Sequence, residues 1–181
     1  MHSRHYSFSN YPREIRSGTQ RPFTVYTLLP DHYAVHREQA DILPSDAATL
    51  AMSEAGRMIE VFRGEADESE QVASQAEVCP VYALQPGGTP AVPTGRIFIR
   101  FKENIPAQER RREIEQAGYE IAQAIVYAPH AAWLRALSGA IVDALTGIPT
   151  LEKIADVENV EPQMLMQRAN RQQLDDPCRV S

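Results

Sequence analysis

Polar and apolar residues alternate along residues 96–102, RIFIRFK, and this alternation predicts a β-strand. Its two faces would be Ile97, Ile99 and Phe101 on one side and Phe98, Arg100 and Lys102 on the other. An aromatic residue between two cations is not a composition that a buried core favours. We therefore expect the first face to pack inward and the second to contact a partner.

The elements after this strand alternate in type. A charged segment begins after Pro106, which suits a helix start, and ends at Gly118, which suits a helix stop. Partial alternation over residues 119–127, a stop at Pro129 and a further apolar stretch at residues 131–137 predict two more strands, paired as a hairpin.

Helical spacing then returns for one interrupted helix. Ile141, Val142 and Leu145 recur at that spacing, and Gly147 and Pro149 break it before the apolar pattern resumes. The run VENVEP, residues 157–162, predicts a last strand. The order strand, helix, strand, strand, helix, strand predicts an α+β fold, a ferredoxin-like split βαβ sandwich (βαββαβ) in the C-terminal half of the chain.

The N-terminal half gives weaker signals. Residues 23–29 predict a strand that ends at Pro30, and residues 44–59 predict a helix with Ser45 as its cap. Residues 79–84 predict a strand followed by a strong turn at residues 86–90. The predicted divisions are a flexible arm at 1–21, a small acidic α+β region at 22–93, the domain at 94–168 and a polar tail at 169–181. Residues 22–93 form either a separate unit or an extension of that domain.

Charge and composition exclude several classes of protein. The net charge is −6 and the basic residues do not cluster, which argues against nucleic-acid binding. Two cysteines, Cys79 and Cys178, are predicted to be free thiols. No apolar run long enough for a signal peptide or a membrane span is present, so we expect a cytoplasmic protein without a membrane partner.

The histidines do not predict a metal site or a cofactor. His2 and His5 lie near the N-terminus without a cysteine or carboxylate scaffold. His32 and His36 are four residues apart, yet nearby Glu38 falls on no common face with them. Solvated side chains are the better interpretation of both pairs.

Three segments resemble the propeptide domain of subtilisin-family serine proteases. They are FIRFK at residues 98–102, YAPHA at residues 127–131 and VENVEP at residues 157–162. Their order and spacing, more than any one of them, make the resemblance specific. It implies a chaperone and tight inhibitor of the protease, whose sheet packs on the enzyme and whose C-terminal tail enters the active-site cleft as a product would.

We expect the protein to differ from such precursors in having no protease domain. It contains no Asp-Thr-Gly, His-Gly-Thr-His or Gly-Thr-Ser-Met-Ala segment, so we expect it not to be an enzyme. The interpretation is an inhibitor, and possibly a folding chaperone, of a subtilisin-like serine protease acting in trans. Two alternatives stay open: the propeptide portion of a longer precursor, or a binding module or acylphosphatase-like enzyme unrelated to proteases. The segment after the first strand lacks the glycine-rich anion loop that an acylphosphatase needs.

Two contact regions follow from the resemblance and the patterns together. The residues expected in the protease cleft are Gln163, Met164, Leu165, Met166 and Gln167, bound there as an added strand. The residues expected at the sheet face are Phe98, Arg100, Trp133 and Arg135, because tryptophan beside arginine is typical of interface hot spots. The alternatives are that Met164 and Leu165 cover the edge of the core and that Trp133 belongs to the core.

Overall fold

The computed structural model describes residues 7–18, 22–38, 44–66 and 76–167. Nine strands span β1 Glu14–Ser17, β2 Thr24–Arg37, β3 Leu50–Glu54, β4 Arg57–Arg63, β5 Glu77–Gln85, β6 Thr89–Phe101, β7 Tyr119–Ala124, β8 Ala131–Ala136 and β9 Val157–Met166. The helices among these described residues are a 3-10 helix, Ala107–Arg110, and three short α-helices, α1 Arg111–Gln116, α2 Ile141–Thr146 and α3 Ile148–Leu151.

All nine strands belong to one antiparallel sheet. Its main path is β3-β4-β2-β5-β6-β8-β7, with β1 paired to β2 and β9 paired to β6. Strand β6 is the connecting element, since its first residues pair with β5, its later residues pair with β8, and β9 follows it along the other edge. The two halves of the chain are therefore joined through backbone hydrogen bonds.

The C-terminal strands have one face covered by helices. Ile97, Ile99 and Phe101 are fully buried, as are Leu134 of β8 and Ile114 of α1. Helix α2 packs closely on β6: a Cβ at Gly95 would lie 3.2 Å from the Ile141 Cγ1 atom. The apolar half of the alternation thus packs against the helices, which leaves the other half on the opposite side of the sheet.

The N-terminal strands are buried on both faces. Four consecutive residues of β2, four of β4 and six of β5 are buried. Ala34, Val61 and Cys79 join the main core, whereas Tyr33, Phe62 and their neighbours form a second cluster on the other face. Strands buried on both sides have continuous apolar runs instead of alternation.

The predicted fold class is wrong. The molecule is mainly β, with one nine-stranded sheet and few helical residues, and it is not an α+β ferredoxin-like sandwich. The segments of residues 94–168 do include strands and helices, but their strands continue into the sheet of the N-terminal half instead of forming a separate two-layer unit. The spacing of polar and apolar residues predicted local elements. It contained no information about the pairing of β5 with β6, which makes the sheet continuous.

The helix predicted over residues 44–59 is also wrong. Residues 50–63 form the β3–β4 hairpin, turning at Ala55 and Gly56, which both have positive φ. Gly56 is thus a turn residue and not part of a helix, since glycine adopts this conformation without steric cost. Strand β2 likewise runs through Pro30 and Asp31, where the register with β5 shifts.

Several predicted boundaries differ from the observed elements. Strand β1 lies within the stretch predicted as a flexible arm and pairs with β2. Strand β6 crosses the predicted division between residues 93 and 94, and β9 extends four residues beyond the predicted strand end. Residues 168–181, including Cys178 and the predicted polar tail, lie outside the described residues. Within the described residues, no helix is both long and apolar enough to span a membrane.

Candidate protein-binding face and adjoining cavity

Four residues of the predicted interface share the sheet face opposite the helices. Phe98 and Trp133 are direct cross-strand partners on β6 and β8, and their ring centroids lie 5.4 Å apart in an edge-to-face arrangement. Both rings are half-buried, Arg100 is also half-buried and Arg135 is exposed. We name the set Phe98, Arg100, Trp133 and Arg135 the outer face.

A fifth residue, Arg96, completes the outer face in a way that the sequence prediction missed. Its guanidinium lies 5.2 Å from the centroid of the Trp133 ring, within the range of a cation–π interaction. Its Nη2 also donates a hydrogen bond of 2.6 Å to Gln123 Oε1. The sequence did contain a signal for this position. Arg96 and Phe98 are two residues apart on one strand, and residues at that spacing share a face of the sheet.

Acidic side chains surround the arginines of this face. Arg135 forms an ion pair with Glu120 on β7, and Arg100 lies 3.5 Å from a Glu158 carboxylate oxygen. Exposed pairs of this kind contribute little to stability, about 0–1 kcal/mol each. Their main effect is to hold long side chains in place around the two aromatic rings.

Of the residues predicted to enter a protease cleft, Gln163 to Met166 belong to strand β9 and Gln167 follows it directly. Met164, Leu165 and Met166 pair with Pro93, Val92 and Ala91 of β6, respectively, and all three are partly buried against the main core. Gln163 accepts a 2.8 Å hydrogen bond from Thr94 Oγ1 and donates one of 3.2 Å to Glu54. Gln167 is exposed and is the last described residue. The structure thus places this segment within the sheet, and its role in a cleft stays a prediction.

A cavity of about 310 Å³ adjoins the outer face at Arg96 and Arg135. It lies between the β3–β4 hairpin, which contributes Glu54 and Arg57, and the middle of β6. Strand β6 changes its register with β9 between Pro93 and Ile97, and Gly95 has a positive φ of 84°. This irregularity brings Arg96 to the cavity and the outer face together.

His36 forms part of the cavity wall and is only 4% exposed, which corrects the expectation of a solvated side chain. Its Nε2 lies 3.3 Å from Cys79 Sγ, and its Nδ1 has no hydrogen-bond partner among the described residues. Burial, assisted by the nearby charge of Arg57, lowers the pKa of His36 to about 4, so the ring is neutral at pH 7. The signal for burial was the apolar run around it, residues 33–36.

Two titratable residues of β5, Cys79 and Glu77, lie beside His36 of β2. Burial, with a smaller contribution from Glu77, raises the pKa of the Cys79 thiol, so this cysteine is protonated and unsuited to nucleophilic chemistry. Burial also raises the pKa of Glu77, although its Oε1 accepts a 2.7 Å hydrogen bond from the Ile141 N–H. Among the described residues, no group of three or more His, Cys, Asp or Glu side chains is placed to bind a metal ion.

Comparison of the chain with protein-family models, with curated protein sequences and with solved structures found no match in any of the three. The resemblance to subtilisin propeptides therefore depends on the three sequence segments alone. Its functional implications are proposals, to be judged against the geometry of the outer face and of β9.

Proposed function

We propose that this protein binds a subtilisin-like serine protease in trans through the outer face and inhibits it. The observation on which the proposal depends is the paired Phe98 and Trp133, which lie side by side on the sheet face that the helices leave uncovered. The sequence resemblance supplies the class of partner. We expect the chain to act in the cytoplasm and without a catalytic step of its own.

The composition of the outer face supports a protein partner. Tryptophan and arginine are enriched at the energetic centres of interfaces, where a few desolvated residues account for most of the binding energy. Here one tryptophan lies beside Arg96 and Arg135, while the acidic partners of the arginines lie toward the periphery. An enzyme surface that packs on the two rings would remove them from water without requiring the sheet to rearrange.

The structure changes the expected contribution of the segment from Gln163 to Gln167. A cleft that binds extended peptides adds them as a strand and needs a free backbone edge. Among the described strands β9 pairs only with β6, so binding in a cleft would use the opposite edge of β9. Removing the segment would also remove its pairing with β6, and we therefore assign most of the affinity to the outer face.

An inhibition assay with matched variants tests the proposal. Purified protein is titrated into a subtilisin-type protease, and hydrolysis of a small peptide substrate is followed. We expect inhibition by the wild type and a loss of about 30-fold or more in affinity for Trp133→Ala, as for a hot-spot residue. Tyr127→Ala is the matched control, because Tyr127 is 92% exposed in the β7–β8 connection and lies outside the outer face.

Two outcomes would overturn the proposal. The first is unchanged hydrolysis by several subtilisin-type proteases at a large excess of the folded wild-type protein. The second is equal weakening by Trp133→Ala and Tyr127→Ala, which would remove the outer face from the interaction. Circular dichroism of each variant shows whether a loss of inhibition reflects a loss of fold.

A further inference from the structure

The cavity beside the outer face has an excess of positive charge although the whole chain is acidic. Its wall includes Arg57, Arg96 and Arg135 but only one carboxylate, that of Glu54. The whole chain has a net charge of −6, so this concentration of arginines is local. His36 does not change this balance of charges at the cavity wall, since its ring is neutral at pH 7.

Two of these arginines face each other directly. Arg96 and Arg135 are cross-strand partners, and like charges in this position destabilise a sheet. The ion pair with Glu120 neutralises Arg135, whereas Arg96 has a neutral hydrogen-bond partner, Gln123, and no carboxylate partner among the described residues. Arg57, on the opposite wall, lies 3.8 Å from the exposed Glu38 carboxylate, and its charge partly offsets the rise that burial causes in the pKa of the nearby Glu77. An anion in the cavity would offset this repulsion.

A buried polar atom without a partner lies at the same wall. His36 Nε2 lies 3.3 Å from Cys79 Sγ, whereas His36 Nδ1 has no hydrogen-bond partner among the described residues. An unsatisfied buried polar atom calls for a water molecule or a ligand with a complementary polar group.

We propose that this cavity binds a small dicarboxylate, held by Arg57, Arg96 and Arg135. Planar guanidinium groups match carboxylates through paired hydrogen bonds. The volume of about 310 Å³ lies at the lower end of the range for small-molecule sites and suits a molecule of a few carbons. Glu54 disfavours more highly charged anions because it adds a negative charge to the wall. This inference does not depend on protease binding.

Calorimetric titration with succinate at constant ionic strength tests the proposal. We expect saturable binding with one molecule per chain and no binding of succinamide, which has the same shape without the charge. Arg96→Gln and Arg57→Gln should each weaken binding roughly tenfold or more, as expected for the loss of a charge-assisted hydrogen bond. Arg111→Gln, an exposed arginine on α1, should leave the affinity unchanged.

A second variant separates the loss of charge from the loss of space. Ala122→Leu adds volume at the cavity wall without removing a charge, and it should also abolish binding. Phe98→Ala, which removes an aromatic ring of the outer face, should retain it, so failure of protease binding and failure of this site are distinguishable. No saturable binding of succinate, equal binding of succinamide, or equal affinity of wild type and Arg96→Gln would each overturn the proposal.

Discussion

Strands β2–β5 and strands β6–β9 belong to the same sheet but are buried in different ways. The first group has apolar cores on both faces, while the second has helices on one face and the half-exposed outer face on the other. A sheet face that lacks an internal cover can serve a partner, whereas a face already buried cannot. The proposed protein-binding surface therefore belongs to the C-terminal half of the chain.

The two groups also differ in their buried polar residues. The buried polar or charged residues of the described chain are His36 on β2, Glu60 on β4 and Thr94 in the middle of β6. The core beneath the helices is apolar apart from the Tyr119 hydroxyl, which donates a 2.7 Å hydrogen bond to the Ala144 carbonyl. Sensitivity to pH should consequently arise in the N-terminal half and not beneath the helices.

The largest expected effect tests whether the two groups of strands unfold together. Tyr82→Ala on β5 and Leu134→Ala on β8 each remove a fully buried side chain, and each should cost about 2–5 kcal/mol of unfolding free energy. Because β6 pairs with both β5 and β8, both variants should shift one common transition. Calorimetric and fluorescence melting curves check this, and two transitions that respond separately would divide the molecule into independent units.

The next effect concerns the pH dependence of the N-terminal group. The pKa of His36 is about 4 in the folded protein and 6.5 in the unfolded chain, so the unfolded chain binds more protons between these values. Because the folded protein favours the neutral ring, protonation favours the unfolded chain. The free energy of unfolding should therefore fall by about 3 kcal/mol as the pH decreases from 6.5 to 4.

His36→Gln removes this titration and should flatten the pH profile relative to the wild type. The neighbouring Glu77 has a raised pKa and acts in the opposite direction, so the difference between wild type and variant isolates His36. Arg57 and Cys79 are present in both proteins, and burial raises the pKa of the Cys79 thiol, away from this range. Chemical denaturation at pH 7 and pH 4.5 is the measurement, and parallel profiles would contradict the assignment.

A smaller effect tests the tight packing beneath the helices. At Gly147 a Cβ would lie 2.3 Å from the Tyr119 hydroxyl oxygen and 2.8 Å from a ring carbon. The tyrosine is fully buried, so Gly147→Ala should cost about 1–3 kcal/mol through overpacking. Thr146→Ala, at the adjacent exposed position, should cost less, and equal melting temperatures for the two variants would contradict this account.

The smallest expected effect on stability comes from the outer face. Phe98→Ala removes a half-buried ring, and it should cost less than Leu134→Ala, which opens a cavity in the fully buried core. Its effect on protease binding should nevertheless be large. A stability loss as great as that of Leu134→Ala would assign the ring to the core and weaken the comparison between the two faces.

Local patterns predicted the C-terminal half more accurately than the N-terminal half, for a physical reason. Strand β6 alternates because only one of its faces packs against helices, and Gly118 and Gly147 lie immediately after or close to helix ends. In β3 and β4 the apolar residues follow one another. The sequence around Gly56 does not distinguish a hairpin turn from an interruption within a helix. The apolar run was therefore compatible with either structure.

The candidate site shows a similar division. The orientation of Phe98 and Trp133 could be predicted from period-two spacing, but their contact requires the register of β6 with β8. The cavity combines residues from β2, the β3–β4 hairpin, β6, β7 and β8, which are distant in sequence. Only pairing across the sheet brings Arg57 near Arg96, and single-chain spacing contains no information about that pairing.

Binding to a subtilisin-type protease whose catalytic serine has been chemically blocked tests the central claim most directly. Such an enzyme cannot cleave the chain, so the measured affinity reports docking alone. If the outer face supplies most of the contact, wild-type protein should bind the blocked enzyme, and the double variant Phe98→Ala, Trp133→Ala should bind about 100-fold more weakly. Absence of binding by the folded wild type, or equal affinity of the double variant, would contradict the account.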